Sequence, residues 1–136
     1  MGEKLNFVII DDDSIFNFLS ERLLTKSEVA NNITAFSNAK EALSYFAESK
    51  ENSPDIILLD IRMPEMTGFE FLDEFTRLNH LSTNIYMLSS SLDEKDRVKA
   101  NTYTSVKGFL SKPLNKEIVN EIYTSRINQI NPVSES

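Results

Sequence analysis

Five side chains stand where short apolar runs of the sequence stop. LNFVII ends in Asp11-Asp12, DIILL in Asp60, IYML in Ser89, and the run Val106 to Leu110, one residue on, in Lys112. If these runs are neighbouring strands of one parallel sheet, three carboxylates, a hydroxyl and an ammonium converge at its carboxyl edge, where open sheets of this kind bind ligands. With carboxylates ~5 Å apart and an effective dielectric of ~20, each pairwise repulsion costs about 3 kcal/mol. Such a cluster is expected to take up a proton or recruit a cation. Hard oxygen donors without His or Cys select Mg²⁺, or Mn²⁺, over zinc or copper. Mg²⁺ commonly binds through one or two carboxylates together with phosphate oxygens, which leaves one carboxylate over for chemistry. Adjacent aspartates after a strand are by themselves more often loop residues or helix caps than ligands. Asp60 and Lys112 at matching strand ends turn the reading toward a site.

The elements that must position these groups are legible as alternating patterns. Strand one is Leu5 to Ile10. Helix one follows from Ser14, a residue able to cap it, with Ile15, Leu19 and Leu23 recurring every four residues as its apolar face. Ile33 to Phe36 predicts a second strand. Ser37 or Asn38 then precedes a second helix carrying Ala39, Ala42, Leu43, Phe46 and Ala47. Ser53-Pro54 breaks the pattern before the third strand, Asp55 to Leu59. A third helix with Phe71, Leu72, Phe75 and Leu78 comes after the Met63-Pro64 loop. The fourth strand is Ile85 to Leu88, and a charged helix with few apolar positions runs from about Asp93 to Asn101. The fifth strand is Val106 to Leu110, and Asn115 caps a last helix with Ile118, Val119, Ile122, Tyr123, Ile127 and Ile130; residues 131–136 read as a frayed tail. Five strands alternating with five helices predict an α/β domain with a parallel sheet covered on both faces.

Composition narrows the class. At 136 residues and 40% hydrophobic content, the chain is expected to form one compact domain without a separate effector domain. Cysteine is absent, so thiolate chemistry and disulfides are excluded and a reducing, cytoplasmic setting is expected. No apolar run approaches the roughly 20 residues that cross a bilayer, and Met1-Gly2-Glu3-Lys4 does not open a signal peptide. A net charge of −7 opposes direct contact with nucleic acid or anionic lipid and favours a protein partner.

Four segments in order resemble the response regulator receiver domains of two-component signalling. They are Ile9-Ile10-Asp11-Asp12-Asp13, Leu58-Leu59-Asp60-Ile61-Arg62-Met63-Pro64, Leu88-Ser89-Ser90 and Gly108-Phe109-Leu110-Ser111-Lys112-Pro113, and the likeness runs from about Leu5 to Ile127. The resemblance implies a flavodoxin-like, doubly wound sheet of strand order 2-1-3-4-5, with a receiver unit over residues 1–130. It implies that Asp60 takes a phosphoryl group from a phosphohistidine on a sensor histidine kinase or phosphotransfer protein. Asp11 and Asp12 would hold Mg²⁺ together with Asp60 and the main-chain carbonyl of Arg62. Lys112, aimed by a cis bond to Pro113, and Ser89 would each meet a phosphoryl oxygen. Inward movement of Ser89 would let Phe109 change rotamer, altering a surface of helix four, strand five and helix five that a downstream protein reads. Arg62 and Ser91 occupy positions that tune dephosphorylation in this family.

Three positions depart from the common pattern. Ser89 stands for the usual threonine, Phe109 for tyrosine, and Thr102-Tyr103-Thr104-Ser105 for the Gly-Ala pair before strand five, which leaves that loop's geometry open. Other outcomes of the same constellation are a relay intermediate or phosphate sink, a pseudo-receiver that binds without phosphorylation, and a Mg-dependent aspartate phosphatase. The last needs a carboxylate two residues after the nucleophile, where Arg62 stands. Asp13 reads as a helix-start residue, Ser90 and Ser91 as turn residues, and His80 as solvated in a polar loop. The phenylalanines at 16, 18, 69, 71 and 75 read as core or helix surface rather than a cofactor box.

Overall fold

The computed structural model describes residues 3–48, 50–80 and 82–132. Among them the chain runs β1 (Leu5–Ile10), α1 (Ser14–Lys26), β2 (Ala30–Phe36), α2 (Ala39–Glu48), β3 (Ile56–Asp60), α3 (Gly68–Arg77), β4 (Asn84–Ser89), α4 (Glu94–Ala100), β5 (Val106–Ser111) and α5 (Lys116–Ile130). All strand pairs are parallel, in the order β2-β1-β3-β4-β5, as the resemblance implied.

Side chains alternate across the sheet and feed two cores. Val8, Ile10, Ile57, Leu59, Ile85 and Met87 meet α2, α3 and the end of α4 through Phe46, Phe71, Phe75 and Ala100. Phe7, Ile9, Ile56, Leu58 and Leu88 face α1 and α5 through Phe16, Leu24, Val119 and Ile122. Every residue of β3 and β4 is buried, which suits strands in the interior of a parallel sheet.

Several expectations are corrected. The face of α1 is rotated: Ile15 and Leu19 are 69% and 55% exposed, and the buried stripe is Phe16, Asn17, Ser20 and Leu24. Ser20 is small enough to be buried there, and Asn17 Nδ2 donates to the Asp11 carbonyl at 2.9 Å, so two polar residues are buried where hydropathy expected none. The cap of α1 is Asp13, whose Oδ1 accepts from the amides of Ile15 and Phe16 at 3.0 and 3.1 Å; Ser14 is the first helical residue. Asn115 does cap α5, accepting from Ile118 N at 2.8 Å. Strand β2 begins three residues early, because at a sheet edge Asn31 and Asn32 stay exposed and donate to Asn6 Oδ1, both at 3.3 Å. Strand β3 is shifted by one, so that Asp60 itself is a strand residue and Asp55 precedes it, accepting from Asn6 N at 2.8 Å.

His80 is buried rather than solvated. Its ring stacks on Phe75 with centroids 5.2 Å apart, Nε2 donates to the Phe46 carbonyl at 3.0 Å, and Nδ1 is hydrogen-bonded to Ser53 Oγ. The loop before β5 is fixed by Tyr103, which stacks on Phe69 at 6.1 Å and donates its hydroxyl to Asp73 at 2.8 Å. Burial, then the Asp73 bond and charge, push the Tyr103 pKa up to about 12. Of the expected tail, residues 133–136 lie outside the described residues.

Candidate functional site

The sheet edge gathers the groups that the strand ends predicted. β1 and β3 are neighbours, in register Ile10 to Leu59, so Asp11 and Asp60 emerge side by side. One carboxylate oxygen from each of Asp11, Asp12 and Asp60 lies within 4.8 Å of the others. Asp11 is fully buried, Asp60 nearly so, and Asp12 faces solvent. Asp11 is oriented by its own loop, Oδ1 accepting from the Asp13 amide at 2.9 Å. Its Oδ2 is buried without a directed hydrogen bond, and Lys112 Nζ stands against it at 2.6 Å as an ion pair.

Lys112 reaches the cluster from the end of β5, where its amide donates to the Ser89 carbonyl at 2.9 Å. Its Nζ is 3.2 Å from Asp60 Oδ1 and 4.7 Å from the centre of the Phe16 ring. The Lys112–Pro113 bond is cis. Burial lowers the pKa of Lys112, but the bonds and charges of Asp11 and Asp60 outweigh it and the net displacement is upward. Asp60 is raised from 3.8 to about 6, first by burial and then by the charge of Asp11, with Lys112 opposing and Asp12 adding a smaller push. At neutral pH Asp60 is therefore mostly ionised yet poorly solvated, a carboxylate that gains from any incoming positive centre.

The donor set fits a hard divalent cation. A buried carboxylate oxygen lacking a directed hydrogen bond, a second buried carboxylate and an exposed third within one ion's reach form an all-oxygen cluster with a solvent side.

The remaining predicted residues sit around this cluster. Ser89, at the end of β4, donates its hydroxyl to the Ser91 carbonyl and accepts from the Ser91 amide at 3.1 Å, so it is turned onto its own loop. Phe109 lies opposite Met87 in the β4–β5 register and is half-buried, with the Arg97 guanidinium 5.3 Å above its ring. Arg62 is the second residue of the loop after β3, and its side chain points to α4, where Nη2 donates to Asp96 Oδ2 at 2.6 Å.

One residue packed against the end of β3 at Asp60 was missed from the sequence. Gly68, the first residue of α3, packs on the end of β3: its amide donates to the Ile61 carbonyl at 2.9 Å, and a Cβ there would stand 2.5 Å from the Asp60 carbonyl oxygen. The signal was present in Thr67-Gly68-Phe69-Glu70, because Thr67 and Glu70 form a capping box that starts α3 at this glycine.

The sequence matches the response regulator receiver domain family over residues 7–123. It is 30% identical over 115 residues to the chemotaxis protein CheY of Thermotoga maritima, spanning 83% of this chain and 88% of that one. A two-component response regulator of Oryza sativa is 29% identical over 120 residues, 85% of this chain and 52% of that protein, so the chain spans about half the length of the first curated relatives it matches. Among solved structures, a two-component response regulator from Cytophaga hutchinsonii superposes with a TM-score of 0.85 at 31% identity, over 93% of this chain and 99% of that one. The sheet order, the acidic strand ends and the match over most of its length together place this chain in the family of response regulator receiver domains.

Proposed function

We propose that residues 1–130 act as a phosphoryl-accepting switch in which Asp60 is the acceptor and a phosphohistidine of a sensor histidine kinase or phosphotransfer protein, in the cytoplasm, is the donor. The carrying observation is the nearly buried Asp60 carboxylate, 3.2 Å from the Lys112 ammonium and clustered with Asp11 and Asp12 at the sheet edge; burial and then the Asp11 charge raise its pKa to about 6, so it is ionised at neutral pH. In the step, an Asp60 carboxylate oxygen bonds to phosphorus as the phosphorus–nitrogen bond of the donor breaks, and the imidazole nitrogen keeps the electron pair. No base is required, since the nucleophile is already an anion.

The carboxylates of Asp11, Asp12 and Asp60 and the main-chain carbonyl of Arg62 would hold Mg²⁺, with Mn²⁺ as a substitute. When bound, the ion neutralises charge on the phosphoryl oxygens. Lys112 pairs with one phosphoryl oxygen in place of its present contact to Asp60. Ser89 exchanges its bond to the Ser91 carbonyl for one to another phosphoryl oxygen. That movement shifts the β4–α4 loop and frees Phe109 to turn, changing the surface formed by α4, β5 and α5 that a downstream protein recognises.

Phosphatase chemistry is disfavoured by the same geometry. The position two residues after Asp60 holds Arg62, whose side chain is paired with Asp96 and is too weak an acid to protonate a leaving group. The test is transfer of labelled phosphate from a phosphohistidine-bearing donor in the presence of Mg²⁺. Label on the wild-type chain and none on Asp60→Asn is the expected result; label on both would remove Asp60 from the role.

A further inference from the structure

Helix α4 is weakly anchored from beneath. Of its residues Glu94–Ala100 only Ala100 is buried, and Val98 is 57% exposed. Charged side chains hold it instead. Asp96 takes the Arg62 guanidinium at 2.6 Å, Arg97 lies over the Phe109 ring, and the Lys99 ammonium lies 4.7 Å above the Phe69 ring. Asp96 and Arg97 are adjacent, so one turn of α4 touches both the loop that leaves Asp60 and the ring on β5.

The two partners of the ion pair differ in freedom. The Arg62 side chain is 69% exposed and that of Asp96 only 13%. The arginine can swing in solvent, whereas the aspartate is held in the first turn of the helix. Arg62 also stands two residues after Asp60 at the same sheet edge.

We propose that the Arg62–Asp96 ion pair is a latch that holds α4 in the unmodified protein, and that an aspartyl phosphate on Asp60 opens it by drawing the Arg62 guanidinium away from Asp96. The opening half rests on the reading of Asp60 as the acceptor. Charge sets the direction. Asp96 offers a single negative charge, while the phosphoryl group brings about −1.5 to −2 at neutral pH and three acceptor oxygens. The planar fork of arginine suits that arrangement of oxygens better than any other cationic side chain. Once Arg62 leaves, Asp96 loses the cation that tied it to the loop after β3 and shares its helix start with Asp93 and Glu94, so α4 is free to move outward. Arg97 moves with the helix, which uncovers Phe109 and joins the latch to the ring that the switch must turn.

Hydrogen exchange of the α4 amides tests both halves. In untreated protein, Asp96→Asn and Arg62→Gln should each speed exchange across 94–101 by ~3-fold, the range an ion pair of this exposure supports. Wild type with beryllofluoride and Mg²⁺ should reach a similar rate, and beryllofluoride should add little to either variant. The exchanged pair Arg62→Glu with Asp96→Arg should restore slow exchange in untreated protein. Wild-type exchange rates in both untreated single variants would overturn the latch, and an equal beryllofluoride response in wild type and Arg62→Gln would overturn its opening by the phosphoryl group. Failure of wild type to bind beryllofluoride, read by fluorine resonance, would overturn the acceptor reading and the opening with it, while the untreated variants would still decide the latch.

Discussion

Lys112 Nζ lies closer to Asp11 Oδ2, at 2.6 Å, than to the Asp60 carboxylate it also pairs with at 3.2 Å. In the metal-free protein the ammonium thus bridges the ends of β1 and β3 and offsets repulsion that would otherwise push them apart. The raised pKa of Lys112 means that this stabilisation is complete below the ordinary lysine value of 10.5 and is lost only as pH rises through the folded value. Lys112→Met is expected to lower metal-free stability by about 2 kcal/mol at pH 7.5, less than for a fully buried pair because Asp60 can take up a proton. Urea denaturation with and without Mg²⁺ checks it, and Mg²⁺ should stabilise the variant more than wild type because no ammonium competes for Asp11.

Asp60 is raised too, but its window lies in the acid range. Its folded pKa of about 6 exceeds the ordinary 3.8, so between those values the native state holds more protons than the unfolded chain and stability falls as pH rises. Above pH 6 the ionised, buried carboxylate costs the metal-free protein about 2 kcal/mol, discounted for its partial contact with water. Asp60→Asn should therefore be the more stable protein at pH 8, with the advantage shrinking from pH 6 downward and gone near pH 4. Denaturation midpoints across that range, in chelator, measure it; a constant difference at all pH values would contradict the assignment.

Gly68 and Gly108 make a contrasting pair. A Cβ at Gly68 would meet backbone, 2.5 Å from Asp60 O and 3.1 Å from Ile61 Cα, whereas one at Gly108 would meet the Tyr86 ring at 2.8 Å. Backbone at this strand end cannot yield without moving Asp60. Gly68→Ala is expected to cost about 2–3 kcal/mol, as overpacking does, and to slow phosphoryl uptake several-fold at saturating Mg²⁺. Gly108→Ala should lose less and keep its uptake rate, because a side chain can turn aside.

His80 yields a fourth expectation. Removing a ring that stacks on Phe75 and bonds to the Phe46 carbonyl leaves a cavity and an unpaired buried acceptor. His80→Ala should destabilise the fold by about 2–3 kcal/mol. A solvated loop histidine would change the midpoint negligibly.

The site was more legible than the packing around it, for a physical reason. A buried apolar run seldom continues past a carboxylate, so Asp11 and Asp60 mark the ends of β1 and β3, and Lys112 follows β5 at the same sheet edge. Helix α1 shows the limit. Stripes through Ile15 and Phe16 both repeat every four residues, and hydropathy prefers the former because the latter contains Ser20. Small size and the bond from Asn17 to the Asp11 carbonyl, neither visible as hydropathy, decide the burial. The exposed Ile15, Phe18 and Leu19 are the consequence. His80 and the start of β2 escaped for the same cause: tertiary hydrogen bonds or an edge position made polar residues acceptable. The Arg62–Asp96 pair, 34 positions apart, has no local trace at all.

The central claim is that Asp60 is the group that becomes phosphorylated. Intact mass after incubation with a small-molecule phosphodonor tests it most directly. Wild type with Mg²⁺ is predicted to gain a single phosphoryl group, ~80 Da, that disappears on standing, while Asp60→Asn and the chelated wild type gain none. An equal gain in Asp60→Asn, or none in wild type with Mg²⁺, would contradict the account.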